Sequence, residues 1–165
     1  MYLLLNKAKA HRFPVKTIRT ITMNQIVQLN QADFPKIKTL LAASNLPYSD
    51  LEFSPVYFWG IKEDKKPVAT GALEIYGAEA ILRSLAVQKE FRNQGFGKQL
   101  TNFLEQKAAE FGIGRLFLLT TSAGDFFKRL GYQPAERNRC PEAILASSEF
   151  AELCPATALC MCKKL

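Results

Sequence analysis

Two periods of apolar residues run along this chain, and the changes between them mark its elements. A short apolar run, Ile26–Leu29, reads as a strand. Asn30 or Gln31-Ala32-Asp33 then starts a helix, because Phe34, Ile37, Leu40 and Leu41 recur at helical spacing and Pro35 fits a first turn. Asn45-Leu46-Pro47 ends it, and Leu51–Pro55 reads as a linker. Tyr57–Ile61, Val68–Tyr76 and Glu79–Val87 read as strands, the last two joined at Gly77-Ala78 as a hairpin. Between Phe91 and Phe111 the period lengthens again: Leu100, Phe103, Leu104 and Ala108 share one helical face. Arg115–Thr120 is a buried strand, Ser122–Leu130 a short helix closed by Gly131, and Tyr132–Pro134 a further strand. Pro141–Leu153 reads as one helix with Ile144, Leu145, Phe150 and Leu153 apolar, and Leu159–Lys163 as the last strand. A hairpin followed by strand-helix-strand-helix-strand predicts an α+β sandwich, a mixed central sheet flanked by helices.

The hairpin carries an argument about register. With a two-residue turn, Glu74 stands opposite Ile81 and Ala72 opposite Arg83, so Glu74 and Arg83 are diagonal neighbours on one face. One residue more or less in the turn would put them on opposite faces. In a cleft the pair could grip an amino acid, Arg83 forked onto its carboxylate and Glu74 near its ammonium, where Glu74, directly or through water, could serve as a catalytic base. The alternative is a salt bridge within the sheet.

Ile81–Gly97 is the other informative stretch. Its strand ends in the polar residues Gln88–Glu90, and Arg92-Asn93-Gln94-Gly95-Phe96-Gly97 leads directly into a helix. The first N–H groups of a helix lack internal partners and favour an anion, and glycine lets main chain approach one closely. Neither GxxxxGK[ST] nor GxGxxG is present. The pattern R-x-x-G-x-G instead resembles the diphosphate loop of the GNAT superfamily of N-acetyltransferases, and the likeness runs from about Ile26 to the C-terminus.

That resemblance implies an enzyme moving acetyl from acetyl-CoA to an amine, with no metal. It implies that Leu85, Ala86 and Val87 pair with the pantetheine arm and that Arg92, Asn93, Gln94, Gly95, Phe96, Gly97 and Lys98 hold the diphosphate. Many such enzymes carry Phe-Tyr before a Lys-x-Gly-Phe stretch, the tyrosine protonating the leaving thiolate; here Phe126-Phe127 stands there and Phe127 has no proton to give. Leu82–Val87, Leu118–Tyr132 and Pro141–Met161 together look like the arsenic-resistance N-acetyltransferase branch, related to amino-acid N-acetyltransferases. This implies a small amino acid or amino-acid-like toxin as acceptor, with Thr120, Thr121, Arg137, Ser148 and Glu149 on its side of the site.

Charge and cysteine usage narrow the partners. The net charge is +7, but five of the 22 basic residues and none of the 15 acidic ones fall in the first 22 positions. Residues 1–22 therefore read as a basic extension, a disordered arm or a docking element or a mis-assigned start, ahead of a nearly balanced domain from Met23 to residue 165. That balance argues against a nucleic-acid face. No apolar run approaches the roughly 20 residues a membrane span needs, so a cytoplasmic protein is expected, as monomer or homodimer. The single histidine, His11, lies in the arm and leaves no Ser-His-Asp set. Cys140, Cys154, Cys160 and Cys162 lack zinc spacing. They read as small buried hydrophobes, or as three soft thiolates (154, 160 and 162) open to trivalent arsenic. Two further readings compete with the small-molecule enzyme: a non-catalytic acetyl-CoA sensor, and an acetyltransferase of protein N-termini that uses the basic arm.

Overall fold

A computed structural model describes residues 26–51 and 56–165. The basic extension, the start at Met23, His11 and most of the expected linker lie outside the described residues. The elements are β1 (Ile26–Leu29), α1 (Phe34–Ala43), β2 (Val56–Glu63), β3 (Lys66–Tyr76), β4 (Glu79–Val87), α2 (Phe96–Glu110), β5 (Arg115–Thr120), α3 (Gly124–Arg129), β6 (Gln133–Pro134), α4 (Glu142–Leu145) and β7 (Leu159–Lys164). The strands form one sheet in the order β1-β2-β3-β4-β5-β7-β6. Among the described residues only the β4–β5 pair is parallel; the other pairs are antiparallel, so the sheet is mixed as expected.

Local chemistry explains the boundaries. A capping box starts the first helical segment: Asn30 Oδ1 accepts from Ala32 N–H at 2.9 Å, and Asp33 Oδ2 accepts from Asn30 N–H at 3.2 Å. The α2 helix buries Phe96, Leu100, Leu104 and Ala108, a stripe at four-residue spacing. That stripe packs on one side of the sheet, where Leu104 and Ala108 meet Leu73, Leu82 and Leu116. On the other side α1 packs Ile37 and Leu41 against Phe58, Ala72 and Ala86. Ile144 and Phe150 cover Ile81 and Phe117. Helices thus cover both faces.

Two features depart from a regular reading and both shape the cleft. Opposite Gly71, β4 carries a bulge: Ala72 pairs with Arg83 but Thr70 pairs with Ala86, and Ser84 takes a positive φ of 56°. A bulge bends its strand. The parallel β4–β5 ladder holds only at Glu79↔Arg115, Ala80↔Leu116 and Ile81↔Phe117. Beyond Ile81 the two strands run apart. The second departure is a correction: the helix expected over Pro141–Leu153 is broken. It becomes α4 and a separate π-helical turn, Glu149–Leu153. The Ser147 hydroxyl donates to Ile144 C=O at 2.7 Å and accepts from Phe150 N–H at 3.3 Å, which diverts the helical ladder. The break turns Glu149 and Phe150 inward.

Candidate active site

The gap between β4 and β5 opens into a cleft of about 1010 Å³. Its walls come from β4, the loop before α2, the end of β5, the loop after α1 and the turn around Glu149. The resulting chemistry differs from one end to the other.

At one end stands the start of α2. Asn93 and Gly95 take left-handed φ values of 61° and 86°. This reverses the chain so that the loop closes on the helix. The first intrahelical bond runs from Gln99 N–H to Gly95 C=O at 2.9 Å, so the amides of residues 96–98 precede the ladder. A Cβ on Gly97 would sit 3.4 Å from the Phe126 ring, inside the cleft. Bare main chain is what this wall presents. The Arg92 side chain braces the loop, its Nε donating to Val87 C=O at 2.9 Å, and Gln94 Nε2 donates to Glu90 C=O at 3.1 Å. Leu85, Ala86, Val87, Arg92, Asn93, Gly95, Phe96 and Gly97, all expected on the coenzyme side, line the cleft, whereas Gln94 and Lys98 are exposed outside it.

The strand edge beyond Ile81 faces the same cleft without a partner from β5, over the residues expected to meet the pantetheine arm. Unpaired main chain at a sheet edge is a template for another extended chain. Amides at a helix start, a bare glycine wall, an open strand edge and sufficient volume all fit coenzyme A.

At the other end lies a buried ionic cluster. Glu74↔Ile81 and Ala72↔Arg83 are paired as the two-residue turn requires. Arg83, 3 % exposed, donates from Nη1 to Glu74 Oε2 at 2.8 Å and to Asp50 Oδ2 at 2.7 Å. Its Nη2 donates to Asp50 Oδ1 at 2.8 Å and lies 2.9 Å from Glu149 Oε2. Burial alone would lower the Arg83 pKa, but the bond to Asp50 and the charges of Glu149 and Glu74 outweigh it and hold the guanidinium charged. The fork expected to grip an acceptor's carboxylate is therefore filled by the chain's own carboxylates. Glu74 sits behind Arg83, 2 % exposed, and its other oxygen accepts from the Tyr76 hydroxyl at 2.5 Å. It does not line the cleft; Glu149 does. Burial raises the Glu149 pKa; Arg83 opposes that shift, and Asp50 and Glu74 add to it.

The remaining expected residues divide in the same way. Thr120 and Thr121 line the cleft, and Thr120 Oγ1 also accepts from Ala123 N–H at 2.9 Å, capping the turn into α3. Arg137 and Ser148 are outside the lining. Arg137 instead clamps the Glu149 turn, donating to the carbonyls of Phe150, Pro155 at 2.8 Å and Cys154 at 3.3 Å. The Phe127 ring lines the cleft and packs edge-on against Phe126 and Tyr132. Tyr132 is fully buried, and its pKa is raised by burial and by Glu105, so it is no proton donor to the cleft. The three-thiol arrangement does not form. Cys160 faces Cys140, with 3.6 Å between sulfurs, while Cys154 donates to Glu149 Oε1 at 3.3 Å, its pKa pushed up to about 12 by burial and by that carboxylate. Among the described residues no group of three or more His, Cys, Asp or Glu could hold a metal. Asp50 and Tyr76 had no signal in the sequence, and Cys154 was read only as a buried or arsenic-binding thiol; their positions beside Arg83, Glu74 and Glu149 depend on long-range packing.

A splayed mixed sheet with a helix N-terminus at the mouth of the gap is the architecture of a coenzyme-A-dependent acyltransferase. A model of the acetyltransferase (GNAT) family matches residues 23–132, and the chain belongs to that family. It is 45 % identical over 65 residues, 39 % of its own length and 41 % of the relative's, to an uncharacterized N-acetyltransferase of Chlorobaculum tepidum. It is 39 % identical over 69 residues to an amino-acid acetyltransferase of Pseudomonas paraeruginosa, covering 42 % of this chain and 16 % of that protein. The chain thus spans less than half the length of these curated relatives. Among solved structures, N-acetylglutamate synthase from Neisseria gonorrhoeae, complexed with coenzyme A and L-arginine, superposes with a TM-score of 0.69 at 24 % identity, over 85 % of this chain and 32 % of that one. A Mycobacterium tuberculosis protein in complex with CoA and NLQ gives a TM-score of 0.70 at 21 % identity, over 85 % and 98 %. At these identities the superpositions speak for the fold.

Proposed function

We propose that this protein is an N-acetyltransferase that transfers acetyl from acetyl-CoA to the amine of a small molecule. The observation that carries the reading is the parting of β4 from β5 beyond Ile81↔Phe117, directly over the start of α2. In this reading the amides around residues 93–98 take the diphosphate, and the edge of β4 from Leu82 to Val87 holds the pantetheine arm. A β4 amide then polarises the thioester oxygen as charge develops on it.

The base in this reading is Glu149 rather than Glu74, because Glu149 reaches the cleft and Glu74 does not, and burial raises the Glu149 pKa, which makes its carboxylate a better proton acceptor. Glu149 takes a proton from the incoming ammonium. The freed lone pair attacks the thioester carbon; the C–N bond forms, the C–S bond breaks, and the nitrogen sheds a second proton. The thiolate takes up one proton, so each turnover releases an amide, a thiol and one net proton. Phe127 cannot supply the thiolate's proton, and hydroxyls in the cleft, among them those of Thr120 and Ser122, stand open to that task.

Amino-acid acceptors are suggested by the printed names of the relatives, and an arsenic-containing acceptor by the sequence resemblance alone. The test is thiol release from acetyl-CoA across amines, amino acids and arsinic and phosphinic analogues. Turnover with a small amine supports the reading. Tight binding of acetyl-CoA without thiol release from any amine contradicts it and favours a sensor, the second reading, which Phe127 at the place of the acid motivates.

A further inference from the structure

We infer that Cys154 is a positioning residue for the transfer, its thiol holding the Glu149 carboxylate in the orientation the reaction needs. The inference deepens the transferase reading above and rests on it. Glu149 is held at both oxygens. Oε2 lies 2.9 Å from Arg83 Nη2, and Oε1 accepts from the Cys154 thiol at 3.3 Å. Each carboxylate oxygen has two lone pairs, so one on each remains for an incoming ammonium. Arg83 is buried and Cys154 half-buried, and both line the cleft together with Glu149. The backbone explains why a thiol stands there. An α-helical turn from Glu149 would close on Leu153. The π-helical turn closes one residue later, Cys154 N–H donating to Glu149 C=O at 3.2 Å. The extra residue brings a donor, rather than a leucine, to the end of the turn. Arg137 fixes the main chain on both sides of it, donating to the carbonyls of Phe150, Cys154 and Pro155.

The thiol's own chemistry suits a donor. Burial first, then the Glu149 carboxylate, push its pKa up to about 12, so it keeps its proton through the neutral range; the charges of Arg137 and Arg83 only oppose that shift. A hydrogen bond to the ionised carboxylate favours that form, and so works against the burial that raises the Glu149 pKa. The groups facing Glu149 pull in two directions. Arg83 from β4 and Cys154 from the turn favour its charge, while Asp50 from the loop after α1 and Glu74 from β3 disfavour it. Losing the thiol's proton tilts that balance toward the protonated acid, which cannot take a proton from the acceptor.

Two substitutions separate the donor from the space it fills. Cys154→Val occupies similar volume without a donor, and Cys154→Ser restores one. The full-length protein and both variants are checked for folding by circular dichroism. The Glu149 carboxyl is then titrated by carbon-13 NMR, and thiol release from acetyl-CoA is followed against pH with phenethylamine, leucine and glutamate as acceptors. In Cys154→Val the Glu149 titration and the acid limb of kcat/KM are expected to move to higher pH. Turnover on that limb should fall about threefold, the scale of one hydrogen bond, with Cys154→Ser within about twofold of wild type. The acetyl-CoA KM should not change. In a Glu149→Gln background Cys154→Val should have no further effect, because the thiol acts through that carboxylate. An unmoved Glu149 titration, a loss that serine does not restore, or a loss that persists in the Glu149→Gln background overturns the inference and leaves the transferase reading standing. A wild-type protein that releases no thiol with any amine overturns the transferase reading and the inference with it.

Discussion

Arg83 shows how one side chain can be structural and still set the chemistry. It fixes Glu149 at the cleft wall and holds Asp50 and Glu74 in the interior. Removing one partner of a buried ionic group leaves the others uncompensated, at a cost of about 3–5 kcal/mol. Arg83→Ala is therefore expected to lose about that much stability in urea unfolding; a loss below about 1 kcal/mol would mean the cluster is solvated. Glu149→Gln keeps the shape and removes the proposed base, so kcat/KM is expected to fall by about 10²-fold or more. The wild-type acid limb should lie above the ordinary carboxylate range, because the Glu149 pKa is raised by burial. For stability the sign is opposite to that of a paired surface acid. A carboxyl whose folded pKa exceeds its unfolded value contributes stability fully below the unfolded 4.5, and that contribution is lost as pH rises through the folded value. Glu149→Gln should flatten unfolding midpoints across that window; an unchanged pH profile would reject the role.

At the scale of elements, the register of the β3–β4 hairpin was legible because a two-residue turn leaves it no freedom, and Glu74 and Arg83 meet as that turn dictates. The α2 helix and its loop were legible for similar reasons: periodic apolar residues, then two glycines where a helix begins. The bulge at Ser84 was not, since no residue type demands it. The break at Ser147 was missed because the apolar spacing of Ile144, Leu145, Phe150 and Leu153 carries across it, and a serine hydroxyl competing for backbone partners leaves no periodic trace. Asp50 was hidden in a loop whose partner lies 33 residues away. The loop before α2 makes its own prediction. Gly97→Asp puts a carboxylate where the anion site opens, with its Cβ 3.4 Å from Phe126. Its acetyl-CoA Kd should rise at least about tenfold by calorimetry, the scale of a charge reversal at a helix start, with the fold unchanged by circular dichroism. An unchanged Kd would remove the loop from the coenzyme site.

At the scale of the whole molecule, the proposed function divides the work between two ends of one gap. Its sheet is continuous from β1 to β4 and again from β5 to β6, but the bridge between the halves is three residue pairs long. Packed cores cover both faces of the sheet beside that opening; Leu104 is fully buried between α2 and the sheet. Leu104→Ala should cost about 2–5 kcal/mol in unfolding. It should also loosen the α2 end of the cleft, read as a weaker acetyl-CoA Kd. A stability loss without any change in Kd would separate the core from the site.

The most direct measurement is a crystal structure of the protein with acetyl-CoA. The diphosphate is expected against the amides of residues 93–98 and the pantetheine arm along Leu82–Val87, with the thioester carbon facing Glu149. Coenzyme bound elsewhere, or β4 and β5 closed onto each other with no coenzyme between them, would contradict the account.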